Sequence, residues 1–261
     1  MSRELVHIYG PISIQTFGLI VTIGLLVFTW LIRRRIKHKK LMTEEQFSHV
    51  LFVGILSGIV GGRLLYVAQE YHTMTSFWQV FSFWEGGFSI LGTILSILIA
   101  ETLYLRTIRV SVLQVFDIAA LYAPLFQSIA RTGCFFAGCC YGIPSTLPWA
   151  IQYTDAETIA PVCTQLHPTQ LYSSTTLFFI FLFMLLIGKT YCKKNGQLIT
   201  LYLMLASAER FTVDFWRGDR AFFKHALLRF LSIHQWIALG LAISAGIAFV
   251  SITLKRKPQK R

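Results

Sequence analysis

The chain has 261 residues, 54% hydrophobic and 14% charged, with a formal net charge of +12. A soluble domain has about a quarter of its residues charged, so an ordinary water-soluble globule is excluded. The basic residues gather at the ends of apolar runs, which assigns them to membrane topology and anionic lipid and argues against nucleic acid as a partner.

Residues 11–32 carry no Asp, Glu, Lys or Arg. A helix rising 1.5 Å per residue needs about 20 residues to cross a hydrocarbon core of about 30 Å, so this run is long enough to span. Its basic cluster, RRRIKHKK, follows the apolar stretch instead of preceding it, which reads as a retained membrane helix and not a cleaved leader. Spans at 47–68, 86–105 and 110–130 come next, each with one to three ionisable residues. Within the first of these, Gly54, Gly58, Gly61 and Gly62 recur at helical spacing, and helix packing is their expected use. FWEGGFSILGT leads into the next span: Gly86 and Gly87 permit a tight turn, and Glu85 is placed to cap a helix or pair with an arginine. Residues 132–167, with turn signals at Gly142, Pro144 and Pro148, are expected to form a compact cap between helices 4 and 5. Further spans lie at 168–188, 196–216 and 233–254, the first and last free of Asp, Glu, Lys and Arg.

The expected fold is therefore an all-α integral membrane protein of about seven transmembrane helices, with termini on opposite sides. No linker or repeat marks a second domain, so 1–261 reads as one membrane-embedded domain. Six Lys or Arg follow the first span, two the third, three the fifth and five make the tail, 16 on one side against five on the other. The positive-inside rule puts the C-terminus in the cytoplasm and the N-terminus outside.

Three arginines fall on neither side: Arg63, Arg131 and Arg210 sit inside or at the edge of spans, toward their outer ends. A cation in hydrocarbon costs about 3 kcal/mol on insertion scales, so each needs a structural ion pair, an escape to the interface or a function. Arg131 opens RTGCFFAGCCYGIP, where Gly133, Gly138 and Gly142 let the backbone turn and approach a ligand. The planar guanidinium fork suits phosphate, and the abundant phosphates at a membrane surface are lipid headgroups. Arg210 and Asp214 are four apart and share a helix face, an arrangement that serves a structural pair or a phosphate clamp equally well. HPTQLY carries His167, Gln170 and Tyr172, with the histidine either an acid–base group or a hydrogen-bonded anchor. Of the five cysteines, Cys134, Cys139, Cys140 and Cys163 fall outside and Cys192 in the cytoplasm. A disulfide of Cys134 with Cys139 or Cys163 is allowed there. Cys163, His167 and the CC pair do not match a standard zinc spacing, and small apolar filler is the commonest fate of such residues. No metal and no cofactor are expected.

Taken in order, PISIQTFGL, GGRLLYV, WEGGFSILGT, RTGCFFAGCCYG, HPTQLY, NGQL with ERFTVDFWRGD, and LSIHQW resemble the prolipoprotein diacylglyceryl transferase family over nearly the full length. That resemblance implies transfer of a diacylglyceryl group from phosphatidylglycerol to the lipobox cysteine thiol of a prolipoprotein signal peptide. The reaction belongs at the outer leaflet of the bacterial inner membrane. It also implies a reacting centre at Arg131, Arg210 and Asp214, Arg131 meeting the headgroup and Arg210 serving as the second essential cation. Gly133, Cys134, Gly138, Cys139, Gly142, Arg63, His167, Gln170 and Tyr172 are the expected binding positions around it.

The chain also departs from the family pattern. Leu91 stands where the family has a histidine proposed to activate the thiol. Cys134 and Ala137 replace asparagines, Cys139 a glutamate, Phe17 a tyrosine, and Asp214 a glutamate. These losses leave two alternatives open: a diverged homologue with another lipid or thiol reaction, and a phospholipid-binding protein without catalysis.

Overall fold

The structure, a computed structural model, describes residues 4–9, 12–73, 87–155, 158–223 and 229–254. Glu85 and Gly86 lie outside the described residues, as do Arg3, Lys224 and the basic tail from Lys255.

The first apolar run is not helical from its start. Strand β1 (Glu4–Tyr9) pairs antiparallel with β2 (Ile12–Gln15), and helix α1 (Thr16–Lys39) begins only afterwards. Residues 12–15 read Ile-Ser-Ile-Gln, a strict apolar–polar alternation that fits a strand and not a helix. At its other end α1 continues through the basic cluster to Lys39. Arg and Lys are good helix formers, and Lys37, His38 and Lys39 complement the negative end of the helix dipole.

Helix α2 (Glu44–Glu70) starts three residues earlier than its apolar pattern. Thr43 and Gln46 close a capping box, Gln46 N donating to Thr43 Oγ1 at 3.2 Å and Thr43 N to Gln46 Oε1 at 2.9 Å. Helix α3 (Ile90–Thr107) is capped by Ser89. Against α3 the small residues of α2 do what their spacing foretold. Ser96 Oγ donates to Ser57 O at 2.7 Å and Thr93 Oγ1 to Gly58 O at 3.2 Å. A β-carbon on Gly61 would come within 2.9 Å of Gly92 O, so glycine is required for this backbone approach.

Helix α4 (Val112–Ala137) overruns its expected end at 130. Arg131, Gly133 and Cys134 are therefore helical, and the connection to the next helix starts at Gly138. A two-residue pair, β3 (Ile151–Gln152) with β4 (Gln165–Leu166), ties that connection together. Tyr153, Ala160 and Leu166 form a small buried cluster in it, with Tyr141 and Ile151 packed alongside. Helix α5 (Thr169–Tyr191) widens to a π-turn at Met184–Gly188. Helix α6 (Gln197–Val213) ends in a 3₁₀ turn, Asp214–Trp216, and α7 (Ile233–Leu254) matches the last charge-free run.

Helices α1 to α5 and α7 are long and apolar enough to cross a membrane. The seventh expected span is α6, 17 residues long, which at 1.5 Å per residue reaches about 26 Å. The protein is thus an all-α integral membrane protein apart from its two small hairpins. Its surface differs from that of a soluble fold, and its interior holds polar groups beside an apolar core. Leu26, Phe52, Leu186 and Ile247 are exposed, while Thr169, Gln170, Asp214, Ser232 and Gln235 are almost completely buried. Lipid solvates the former, and internal hydrogen bonds must satisfy the latter.

By packing, the chain divides into two units, Met1–Ile32 with Phe116–Arg261, and Arg33–Val115. Within the first, Asp117 on α4 is a buried carboxylate that caps α6. It accepts from Gly196 N at 2.6 Å and from Ile199 N at 2.9 Å. Gly196 adopts φ +92°, a conformation open to glycine, which aims these amides at Asp117.

Candidate active site

Within the first unit the chemistry gathers where α4 and α6 end. Arg131 lies one turn and a half before the end of α4, and its Nη1 points at Cys140 Sγ, 3.6 Å away. Arg210 lies on the last turn of α6. The charges of Arg217 and Arg131 act on it, as does that of Asp214. Two of the three arginines set apart by the sequence, Arg131 and Arg210, are thus brought into one neighbourhood. Arg63 belongs to the second unit, where it is 4% exposed. There its Nη1 donates to Gly87 O at 2.9 Å and its guanidinium lies 5.3 Å from the Tyr66 ring centre. Gly87 has φ +77°, so Arg63 latches a turn that glycine alone adopts easily.

Asp214 does more than pair with Arg210. It has no exposed surface, and Arg210 Nη2 approaches its Oδ1 at 3.2 Å. Arg220 Nε lies 3.4 Å from its Oδ2, which also accepts from Ser232 Oγ at 2.5 Å. The Arg210 and Arg220 contacts are ion pairs at angles poor for hydrogen bonding. A carboxylate so enclosed is placed to orient both cations.

The sequence reading missed three charged residues here, Arg220 beside Asp214 and two more. Arg217, counted as an outer loop residue, is buried and grips Asp219 with both Nε, at 2.8 Å, and Nη2, at 2.5 Å. This pairing follows the 3₁₀ turn after α6, which folds the chain back so that Gly142 and Arg217 form an isolated bridge. Glu209 is buried beside Ser173, whose Oγ donates to its Oε1 at 2.5 Å, and feels the charges of Arg131, Arg210 and Arg217. The available signal was an ionisable residue inside a span, the same signal that singled out Arg210.

The three cysteines of RTGCFFAGCCYG come together. The sulfurs of Cys134, Cys139 and Cys140 all lie within 4.8 Å of one another. All five cysteines are free thiols, and Cys163 is exposed and outside this group. Hydrogen bonds from Cys134 and Cys139, followed by the charges of Arg217 and Arg131, hold the Cys140 thiol well below its usual range. The same sharing pushes Cys139 well above it.

The remaining expected positions build the frame. Gln170 Nε2 donates to Cys139 O at 2.7 Å and Thr169 Oγ1 to Cys140 O at 2.8 Å, tying the cysteine turn to the first turn of α5. Gln170 Nε2 also reaches the Tyr153 hydroxyl at 3.2 Å, and burial pushes that phenol up to about 12. Gly138 has φ +67°. At Gly142 a β-carbon would lie 3.0 Å from the His167 carbonyl carbon, so glycine lets the two strands of chain meet. Gly133 packs on Phe17 of α1, where a β-carbon would lie 3.2 Å from the ring. His167 Nδ1 shares a hydrogen bond with the Tyr172 hydroxyl at 3.2 Å, which also accepts from Trp149 Nε1 at 2.8 Å. His167 is held as an anchor at the rim of this frame.

The family model for prolipoprotein diacylglyceryl transferase matches residues 3–252. The chain belongs to the prolipoprotein diacylglyceryl transferase family. A phosphatidylglycerol–prolipoprotein diacylglyceryl transferase from Clostridium tetani is 32% identical over 257 residues, 98% of this chain and 100% of its own. The enzyme of that name from Methylobacillus flagellatus is 32% identical over 256 residues, 95% of each chain. That from Thermotoga maritima is 32% identical over 225 residues, 84% of this chain and 75% of its own. The family match covers α1 to α6 and all but the last two residues of α7, and so includes the ends of α4 and α6 that carry Arg131 and Arg210.

Proposed function

We propose that this protein transfers the diacylglyceryl group of phosphatidylglycerol to the lipobox cysteine thiol of a prolipoprotein signal peptide. The whole chain works as one membrane-embedded transferase at the outer leaflet of the bacterial inner membrane, with its N-terminus outside and its C-terminus in the cytoplasm. In the reaction the thiol loses its proton and a carbon–sulfur bond forms. The bond from that carbon to the phosphate oxygen breaks, and glycerol phosphate leaves with the electron pair. The observation that carries this reading is the clustering of Arg131, Arg210 and Arg217 at the ends of α4 and α6. A leaving phosphate needs fixed cations where its charge develops.

Within this reading Arg131 and Arg210 meet the headgroup phosphate, and Asp214 is a positioning residue that holds Arg210. Gly133, Gly138 and Gly142 shape the backbone around them. Cys134, Cys139, Gln170, His167 and Tyr172 line or brace the same region. Arg63 holds the entry to α3 in its own unit.

The test is rescue of a transferase-depleted cell, with mass spectrometry of a reporter lipoprotein. Arg131→Ala should lower transfer by about 100-fold or more, the scale of losing a preorganised charge donor. An Arg131→Ala protein that transfers lipid at the normal rate overturns the proposal.

A further inference from the structure

Cys139 and Cys140 are fixed through their carbonyls, by Gln170 and Thr169, while their sulfurs make long contacts, Cys139 Sγ to Cys134 O at 3.8 Å and Arg131 Nη1 to Cys140 Sγ at 3.6 Å. Gly138 and Cys140 adopt left-handed backbone, φ +67° and +58°, and this double turn folds residues 139 and 140 back onto Cys134 at the end of α4. Sulfurs around a tetrahedral zinc at about 2.3 Å are about 3.8 Å apart, so trio distances up to 4.8 Å close with small rotations of the side chains. Three thiolates and Zn²⁺ sum to one negative charge. Arg131, at 3.6 Å from Cys140 Sγ, and Arg217, whose charge also reaches that sulfur, are placed to offset it.

We propose that Cys134, Cys139 and Cys140 bind a zinc ion beside Arg131, leaving its fourth position open to a thiol. Among the described residues no further His, Cys, Asp or Glu atom joins the group. Three protein ligands and an open position are the pattern of catalytic zinc, whereas structural sites are closed by four. The thiol that would take this position is the lipobox cysteine, a step that rests on the function proposed above. A thiol bound to zinc gives up its proton at neutral pH, to solvent, and remains a nucleophile. The carbon–sulfur bond then forms as the carbon–oxygen bond to glycerol phosphate breaks, with Arg131 next to both.

Zinc is to be measured by elemental analysis of the full-length protein, purified reduced in detergent. About one zinc per chain is expected, falling at least tenfold when all three cysteines are changed to serine. Cys163→Ser and Cys192→Ser should keep it. Because the triple variant can fail to fold, the wild-type protein is also exchanged with Co²⁺. A thiolate-to-cobalt charge-transfer band in the near ultraviolet supports the site. A lipobox peptide should then shift the visible cobalt bands, and its Cys→Ser version should not. Arg131→Ala should retain the metal while losing transfer, so a failed lipid-transfer reading and a failed metal site give different results. No zinc and no cobalt band, copper in place of zinc, or a Cys134–Cys139 disulfide in the purified protein overturns the proposal. Absence of a peptide-induced shift overturns the open position.

Discussion

Asp214 shows how much one enclosed side chain can organise. It faces Arg210, Arg220 and Ser232 at once and has no contact with solvent. Asp214→Asn preserves its shape and removes its charge, leaving two largely buried guanidiniums without their shared partner. We expect a loss of about 3 kcal/mol in stability, at the low end for breaking a buried pair because both arginines keep some exposure. Thermal unfolding in detergent measures it, and an unchanged midpoint contradicts the role. At this scale the sequence revealed Arg131, Arg210 and the Arg210–Asp214 pair, because a charge inside an apolar span needs an explanation wherever it points. Arg217, counted with the outer loop, was hidden by that bookkeeping. Only the 3₁₀ turn after α6 shows that the chain folds back and buries it. The close approach of three sulfurs was equally hidden, since spacing along the chain does not set the left-handed turns at Gly138 and Cys140.

At the scale of elements, the pairing of α2 with α3 rests on absent side chains. Gly61→Leu would force its side chain into the Ser96 side chain and the Gly92 backbone carbonyl. Overpacking of this kind costs about 1–3 kcal/mol even in adaptable cores, and backbone on the far side cannot move aside as a side chain would. The variant should unfold at lower temperature and become protease-sensitive within 33–115 before the rest of the chain. Limited proteolysis followed by mass mapping checks the order of cleavage. The glycine spacing pointed to close helix packing, and the fold supplied α3 as the partner. The helix bounds did not follow as directly, because hydrophobicity marks the apolar stretch while hydrogen bonds mark the helix. Thr43 and Gln46 start α2 ahead of its apolar pattern, α1 yields its first residues to a strand, and α4 carries Arg131 past its apolar stretch.

At the scale of the whole molecule large apolar side chains face outward while buried polar groups sit among apolar ones inside, as lipid requires of a multi-pass protein. The basic residues then choose an orientation, and two cysteines can report it. Cys163 is exposed in the connection between α4 and α5, and Cys192 lies in that between α5 and α6. A membrane-impermeant maleimide should label Cys163 in intact spheroplasts and Cys192 only after lysis. The reverse pattern, read by mass spectrometry of the labelled peptides, overturns the orientation.

Composition, charge-free runs and the positions of Lys and Arg determined by themselves that the protein lives in a membrane, about how many times it crosses, and which cations need an explanation. These are additive properties, since transfer free energy and the positive-inside bias sum over residues regardless of their partners. Tertiary structure alone decided that Arg217 joins Arg131 and Arg210, that Asp214 serves two arginines, that Asp117 caps α6, and that three cysteines meet. Each depends on distances between groups far apart in sequence or across an irregular turn. Electrostatics and metal ligation fall off over a few ångströms, so only the folded backbone can say which charges and sulfurs act together.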